Sequence, residues 1–121
     1  MQAAEEHNVE GMRLYNEEQF EDAAAAFSSA IELDGSNALY HCNLGVALAE
    51  LSRDEEALEQ YKVATELAPN DPAAYLNLGY FYSERENDEL ARVNWQRVLE
   101  VAPRSSEAEE ASQNLEHLGE V

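Results

Sequence analysis

Few side chains in this sequence could do chemistry. Histidine occurs at positions 7, 41 and 117, and Cys42 is the only cysteine. His41 and Cys42 are adjacent, the residue types a thiol nucleophile and its base would need. Adjacent residues on a helix point about 100° apart, so the two do not converge, and Cys42 reads as a small apolar packing residue. His7 and His41 lie 34 residues apart, with Tyr75 one further step along. Two imidazoles without a third ligand rarely hold a metal, so a large ring packed between helices is the expected role of this column. The acidic runs Glu17-Glu18, Glu21-Asp22 and Asp54-Glu55-Glu56 lack the alternating ligands and central glycine of a calcium loop. They read as solvated faces. There is no glycine-rich phosphate loop. The expectation is no catalytic residue, no metal, no cofactor and no enzyme activity.

The charge balance narrows the partners. Asp and Glu total 26 against 7 Lys and Arg, a net charge of −19. Such a polyanion repels phosphate instead of releasing counterions, which excludes nucleic acid, and it avoids anionic membrane surfaces. Lys62 is the only lysine. Two readings fit this composition: an ordinary acidic, soluble protein, or a halophilic one, for which molar salt shortens the Debye length to roughly 3 Å and screens the self-repulsion. One cysteine allows no intrachain disulfide. Met1 to Met12 shows neither an apolar run nor a basic leader, and no stretch approaches the roughly 20 apolar residues of a membrane span. The expected location is cytoplasmic.

The elements that position these residues follow from an internal repeat. Gly11, Gly45 and Gly79 are spaced by 34 residues, as are Ala23, Ala57 and Ala91. The same step relates Phe27, Tyr61 and Trp95; Ala30, Ala64 and Val98; and Gly35, Pro69 and Pro103. Small residues let a facing helix approach, and the aromatic four residues after each alanine fills the space between helices. The Pro or Gly that follows ends the second helix. Between these landmarks Leu44, Ala47, Leu48 and Leu51, and Ala57, Leu58, Tyr61 and Ala64, recur at helical spacing. Ser52 with Glu55, and Ser106 with Glu109, have capping-box spacing, and Asp71-Pro72 reads as an N-cap followed by the first helical residue. After the repeats, Ala108, Ala111, Leu115 and Leu118 form one apolar stripe, and Gly119 marks the end of a seventh helix.

These columns resemble the tetratricopeptide repeat. Asn43-Leu44-Gly45 with Ala57, Tyr61, Ala64 and Pro69, and Asn77-Leu78-Gly79 with Ala91, Trp95 and Pro103, carry the resemblance best. In the first repeat Glu10 stands in the place of Leu44 and Leu78, and Gly35 in the place of proline; a polar first helix suits an end repeat. Asp54 and Asp88 stand where the family usually has an aromatic, as Phe20 is, which questions the tightness of the second and third turns. The resemblance implies an all-α fold, a right-handed superhelical α-solenoid of three helix–turn–helix units at 4–37, 38–71 and 72–105. A capping helix at 106–119 closes it, making one domain.

The resemblance also implies that the first helices line a concave groove where partners bind. Its positions here are Asn8, Val9, Met12, Tyr15, Leu39, Cys42, Asn43, Val46, Leu76, Asn77 and Tyr80. None is charged, and an uncharged stripe on an anionic protein marks an interaction site; repeat cores also need apolar first helices, so packing is the other reading. The family's carboxylate clamp uses Lys and Arg on these helices. Carried over, its positions are Asn8, Met12, Asn43, Ala73 and Asn77, of which only Asn43 fits, so a clamp for chaperone tails is not expected. The expected function is a non-enzymatic scaffold that holds a protein or peptide segment, or another copy of itself, in the uncharged groove. The alternative is an acidic outer surface that binds a basic protein.

Overall fold

The computed structural model describes residues 2–119, which form seven helices: α1 (Ala3–Asn16), α2 (Phe20–Leu33), α3 (Ala38–Glu50), α4 (Asp54–Leu67), α5 (Pro72–Glu84), α6 (Asp88–Val101) and α7 (Ser106–His117). Among the described residues there is no strand, so the fold is all-α as the periodicity predicts. No described helix is long and apolar enough to cross a membrane.

The turns within the three pairs are built alike. Two residues past the end of each first helix stands a residue in the left-handed region, Glu18, Ser52 or Glu86, at φ of 62°, 60° and 61°. The next amide, of Gln19, Arg53 or Asn87, donates back to the carbonyl of Leu14, Leu48 or Tyr82 at 2.9 Å in every case. This is the Schellman closure, which satisfies carbonyls left open at a helix end. The second and third turns are therefore as tight as the first. Asp54 and Asp88 each open a second helix, where a carboxylate meets the positive end of the helix dipole.

Two expected caps shift. Ser52 is not an N-cap: it occupies the left-handed position, and Arg53 precedes α4 without a side-chain cap. The Schellman closure takes up Ser52, so its hydroxyl does not reach the helix start. At α7 the cap is Ser105, whose Oγ accepts from the Ala108 amide at 3.0 Å, one residue before the expected Ser106. Asp71 accepts from the Ala73 amide at 3.0 Å, with Pro72 opening α5, as its sequence predicts. Gly119 follows α7 at φ 86°, a conformation that costs glycine nothing.

The chain divides into two compact units, Met1–Ala68 and Pro69–Val121. In the first, Ala23, Phe27 and Ala30 of α2, Leu44, Ala47 and Leu48 of α3, and Ala57, Tyr61 and Ala64 of α4 are buried. Phe27 lies against Gly11 and Tyr61 against Gly45, so closely that a Cβ on either glycine would come within 2.5 Å and 3.0 Å of the ring. His41 is buried, one ring nitrogen 2.8 Å from Gln60 Oε1 and the other 2.8 Å from the Gly35 carbonyl. It ties α3 to α4 and to the loop before α3. His7 is exposed on α1, so the packing role expected for the histidine column holds for His41 and not for His7.

In the second unit, Trp95 of α6 covers Gly79 of α5, and its Nε1–H donates to the Leu76 carbonyl at 3.2 Å. The α7 residues Ala108, Ala111 and Leu115 complete a core with Leu76, Ala91, Trp95 and Val98, and Leu118 packs against it. The seventh helix thus closes the apolar side of α6, as its stripe predicts.

Candidate partner-binding face

In the first unit α1 and α3 lie side by side, joined by an amide ladder. Asn43 Nδ2 donates to Asn8 Oδ1 at 2.8 Å, and Asn8 Nδ2 points at the Met12 sulfur at 3.6 Å. Asn8 is only 5% exposed, so this ladder is internal, a satisfied polar contact of the kind that fixes how two helices meet. Cys42 is buried too, at 3%. Neither residue is presented to a partner, which corrects the expectation for both; they lie on the sides of their helices that pack.

The remaining α1 and α3 positions gather at the surface. Met12, Tyr15, Asn43 and Val46, with Asn16 and Phe27, enclose a pocket of about 160 Å³. The Phe27 ring that covers Gly11 also lines this pocket. Val9 and Leu39 are exposed, at 48% and 50%, outside the pocket lining. The Tyr15 ring stacks edge-on against Phe20 at 5.2 Å, and its hydroxyl donates to Glu50 Oε2 at 3.1 Å. On α1 the one cation, Arg13, is held by Glu10 at 2.6 Å and Glu17 at 2.7 Å. The α3 helix carries no Lys or Arg.

On α5 the expected positions divide differently. Leu76 is a core residue beneath Trp95, not a surface one. Asn77 and Tyr80 are half-buried. The Tyr80 ring meets Trp95 edge-on at 5.5 Å, and its hydroxyl is bonded to Glu110 of α7. Burial pushes the Tyr80 hydroxyl above the usual tyrosine range, and the Glu110 carboxylate beside it pushes the same way. Tyr80 is thus engaged by the closing helix and is not a free anchor.

Sequence reasoning missed Glu50 and Glu110, the two carboxylates that hold the tyrosines of the uncharged stripe. Glu50 was within reach: it follows Val46 by one helical turn and so shares its face. Glu110 enters only once α7 is placed against α5. A second, larger cleft of about 370 Å³ in the first unit is lined by Ala24, Ala25 and Ser28 of α2 and Glu56, Glu59 and Gln60 of α4. Arg53 stands in it, 3.5 Å from Glu21 and 3.6 Å from Glu56.

Known proteins share this architecture. A tetratricopeptide repeat profile matches residues 8–72, and a second profile of the same description matches residues 61–93. No curated protein matches the chain in sequence. Among solved structures, the Arabidopsis OM64 TPR domain is 26% identical, with 95% of each chain covered and a TM-score of 0.80. The TPR2B domain of yeast Sti1, in a complex with pHsp70, is 24% identical over 91% of this chain and 90% of its own, with a TM-score of 0.82. The first TPR of Spaghetti (RPAP3), bound to the HSP90 peptide SRMEEVD, is 22% identical over 93% of this chain and 92% of its own, with a TM-score of 0.76. The last two likenesses are likenesses of fold.

Proposed function

Because the chain belongs to the tetratricopeptide repeat family, we propose that it is a non-enzymatic interaction module that holds a protein or peptide segment on the face formed by α1 and α3. The observation that carries this is the pocket of Met12, Tyr15, Asn16, Phe27, Asn43 and Val46, which no charged side chain lines, on a protein of net charge −19. Avoiding charge at one concave spot of so acidic a protein fits a surface that is desolvated on binding. Asn43 can donate to and accept from a peptide backbone as well as hold Asn8. The related folds of Spaghetti and Sti1 support a peptide or protein as the occupant. An acidic peptide such as the SRMEEVD bound to Spaghetti does not suit this chain, because the clamp positions Asn8, Met12, Asn43, Ala73 and Asn77 carry no cation.

In this reading the array divides into repeats 4–37, 38–71 and 72–105 with a capping segment 106–119, works in the cytoplasm, and tolerates or needs high salt. Raising chloride from 0.05 to about 2 M would then raise the melting temperature, since screening relieves self-repulsion. A flat melting temperature removes the halophile part.

The test of the main reading is capture of partners from the native organism by the wild type and by Val46→Glu. Val46 is only half-buried, so a glutamate there leaves the fold intact but places a charge in the pocket wall. Loss of a partner in the variant, with retention in high salt by the wild type, supports the pocket. The alternative is supported by the cleft carrying Glu21, Glu56 and Glu59: a basic protein bound there is indifferent to Val46→Glu and falls away as salt rises.

A further inference from the structure

The pocket and its rim specify more than a generic segment. Phe27, Met12 and Val46 give it apolar walls, and its volume is about 160 Å³. A dry cavity of about 150 Å³ holds one benzene, so this pocket has room for a single aliphatic or aromatic side chain. The rim has the opposite character. Glu50 stands one turn from Val46 and reaches the Tyr15 hydroxyl with one carboxylate oxygen at 3.1 Å. A carboxylate has about four acceptor sites, so this bond leaves most of them open. Nothing cationic offsets it on the two helices: Arg13 is paired with both Glu10 and Glu17, and α3 has no Lys or Arg.

Resting on the interaction reading above, we infer that the occupant is a basic peptide: one apolar side chain seated against Phe27, with an Arg or Lys close in sequence that pairs with Glu50. Charge complementarity decides among occupants. An acidic tail meets a negative rim with no cation to receive it. A second copy of this chain brings its own net charge of −19 to the contact, which opposes association in dilute salt. A basic segment gains from the whole field during encounter and from Glu50 once docked, while the apolar anchor supplies the position.

The experiment measures fluorescence anisotropy with three labelled synthetic nonapeptides. The probe is Gly-Ser-Arg-Ala-Leu-Ala-Arg-Ser-Gly; the second peptide has Glu for both Arg; the third has Ser for the Leu. Each is titrated with wild type, Val46→Glu and Glu50→Gln protein at 0.05 and 0.5 M chloride, with circular dichroism confirming each fold. The expected result is saturable binding of the probe, at least tenfold weaker binding of the Glu and the Ser peptides, and a loss of about 2- to 5-fold in Glu50→Gln that shrinks at 0.5 M. Val46→Glu weakens the probe at least tenfold even though it adds a negative charge. That outcome separates the pocket from bulk attraction of a cation by a polyanion, which the added charge would strengthen. Should Val46→Glu not fold, Met12→Ala at its exposed position takes its place, with a loss of about fivefold expected. Binding that depends on the leucine and on Val46 but is equal for the Arg and Glu peptides overturns the basic-ligand inference and leaves the interaction reading standing. Binding that depends on arginine but not on leucine or Val46, or no binding of any peptide, overturns both. Dimerisation of the wild type by sedimentation, lost in Val46→Glu, makes a second copy the occupant and overturns the inference.

Discussion

Alanine substitutions at the three column glycines should differ widely in cost, although the sequence presents the three positions as equivalent. Gly→Ala inside a helix ordinarily gains about 1 kcal/mol. At Gly45 the new Cβ meets Tyr61 Cε1 at 3.0 Å and two further ring atoms at 3.1 Å. A shift of a few tenths of an ångström relieves this, so gain and strain nearly cancel, and Gly45→Ala should fall within about 0.5 kcal/mol of wild type. At Gly11 the Cβ meets Phe27 Cε1 at 2.5 Å and Cδ1 at 2.6 Å, and overpacking should outweigh the helix gain by about 1–2 kcal/mol. At Gly79 three atoms of the Trp95 indole, Nε1, Cδ1 and Cε2, all lie at 2.5 Å or less from the added carbon. Trp95 is 3% exposed and held by its Nε1–H bond to Leu76, so it cannot swing clear without losing that bond, worth about 1 kcal/mol. Overpacking of about 3 kcal/mol plus the bond, less the helix gain, leaves Gly79→Ala about 3 kcal/mol less stable. Urea unfolding followed by circular dichroism gives the ranking. Fluorescence reports the third site directly, because Trp95 is the only tryptophan. A Gly79→Ala protein as stable as Gly45→Ala, with unchanged tryptophan emission, would show that the helices slide apart freely and that the close approach specifies nothing.

Three more outcomes follow from the structure. Glu18→Gly, Ser52→Gly and Glu86→Gly should each stabilise by about 0.5–1 kcal/mol, since each relieves a side chain at positive φ; a loss at any of them on urea unfolding would contradict the Schellman geometry. Leu115→Ala should cost about 2–5 kcal/mol and red-shift Trp95 emission, because Leu115 and Trp95 share one core. The folded Tyr80 hydroxyl holds its proton above the ordinary tyrosine range. Its contribution is therefore complete below the unfolded value near 10 and is lost as pH rises through the higher folded value; Tyr80→Phe should flatten the alkaline side of a stability–pH curve, and an unaltered slope would assign that loss to other groups.

The helices and their pairing were legible because glycine, alanine and the aromatic recur with a fixed step, and that step encodes contacts made inside each pair. What the sequence concealed depends on contacts that carry no periodic mark. Ser52 gave a capping pattern, but positive φ at a serine has no sequence signature of the kind glycine provides, so the turn claimed it. Ser105 and Ser106 are both competent caps, and only the path of the loop selects the first. At the candidate site, the family resemblance put Asn8, Cys42 and Leu76 in a common groove with Met12, Val46 and Tyr80. It did not say which of them lie beneath a neighbouring side chain. Asn8 is covered through its bond to Asn43, and Leu76 through Trp95. Tyr80 is one of the expected groove positions, and only the placement of α7 brings Glu110 to its hydroxyl.

Each column glycine meets an aromatic from its own helix pair: Gly11 with Phe27, Gly45 with Tyr61, Gly79 with Trp95. Both partners of every such contact are therefore inherited together when a gene segment encoding one 34-residue unit is duplicated. The copy arrives with its lock and its key already matched, and the aromatic can drift from phenylalanine to tyrosine to tryptophan while only its own pair must readjust. The limit lies at the single helix. Grafting α6 alone into the place of α4 would set an indole against a glycine whose surroundings fit a phenol, whereas moving α5 and α6 as a pair would carry the fit along intact.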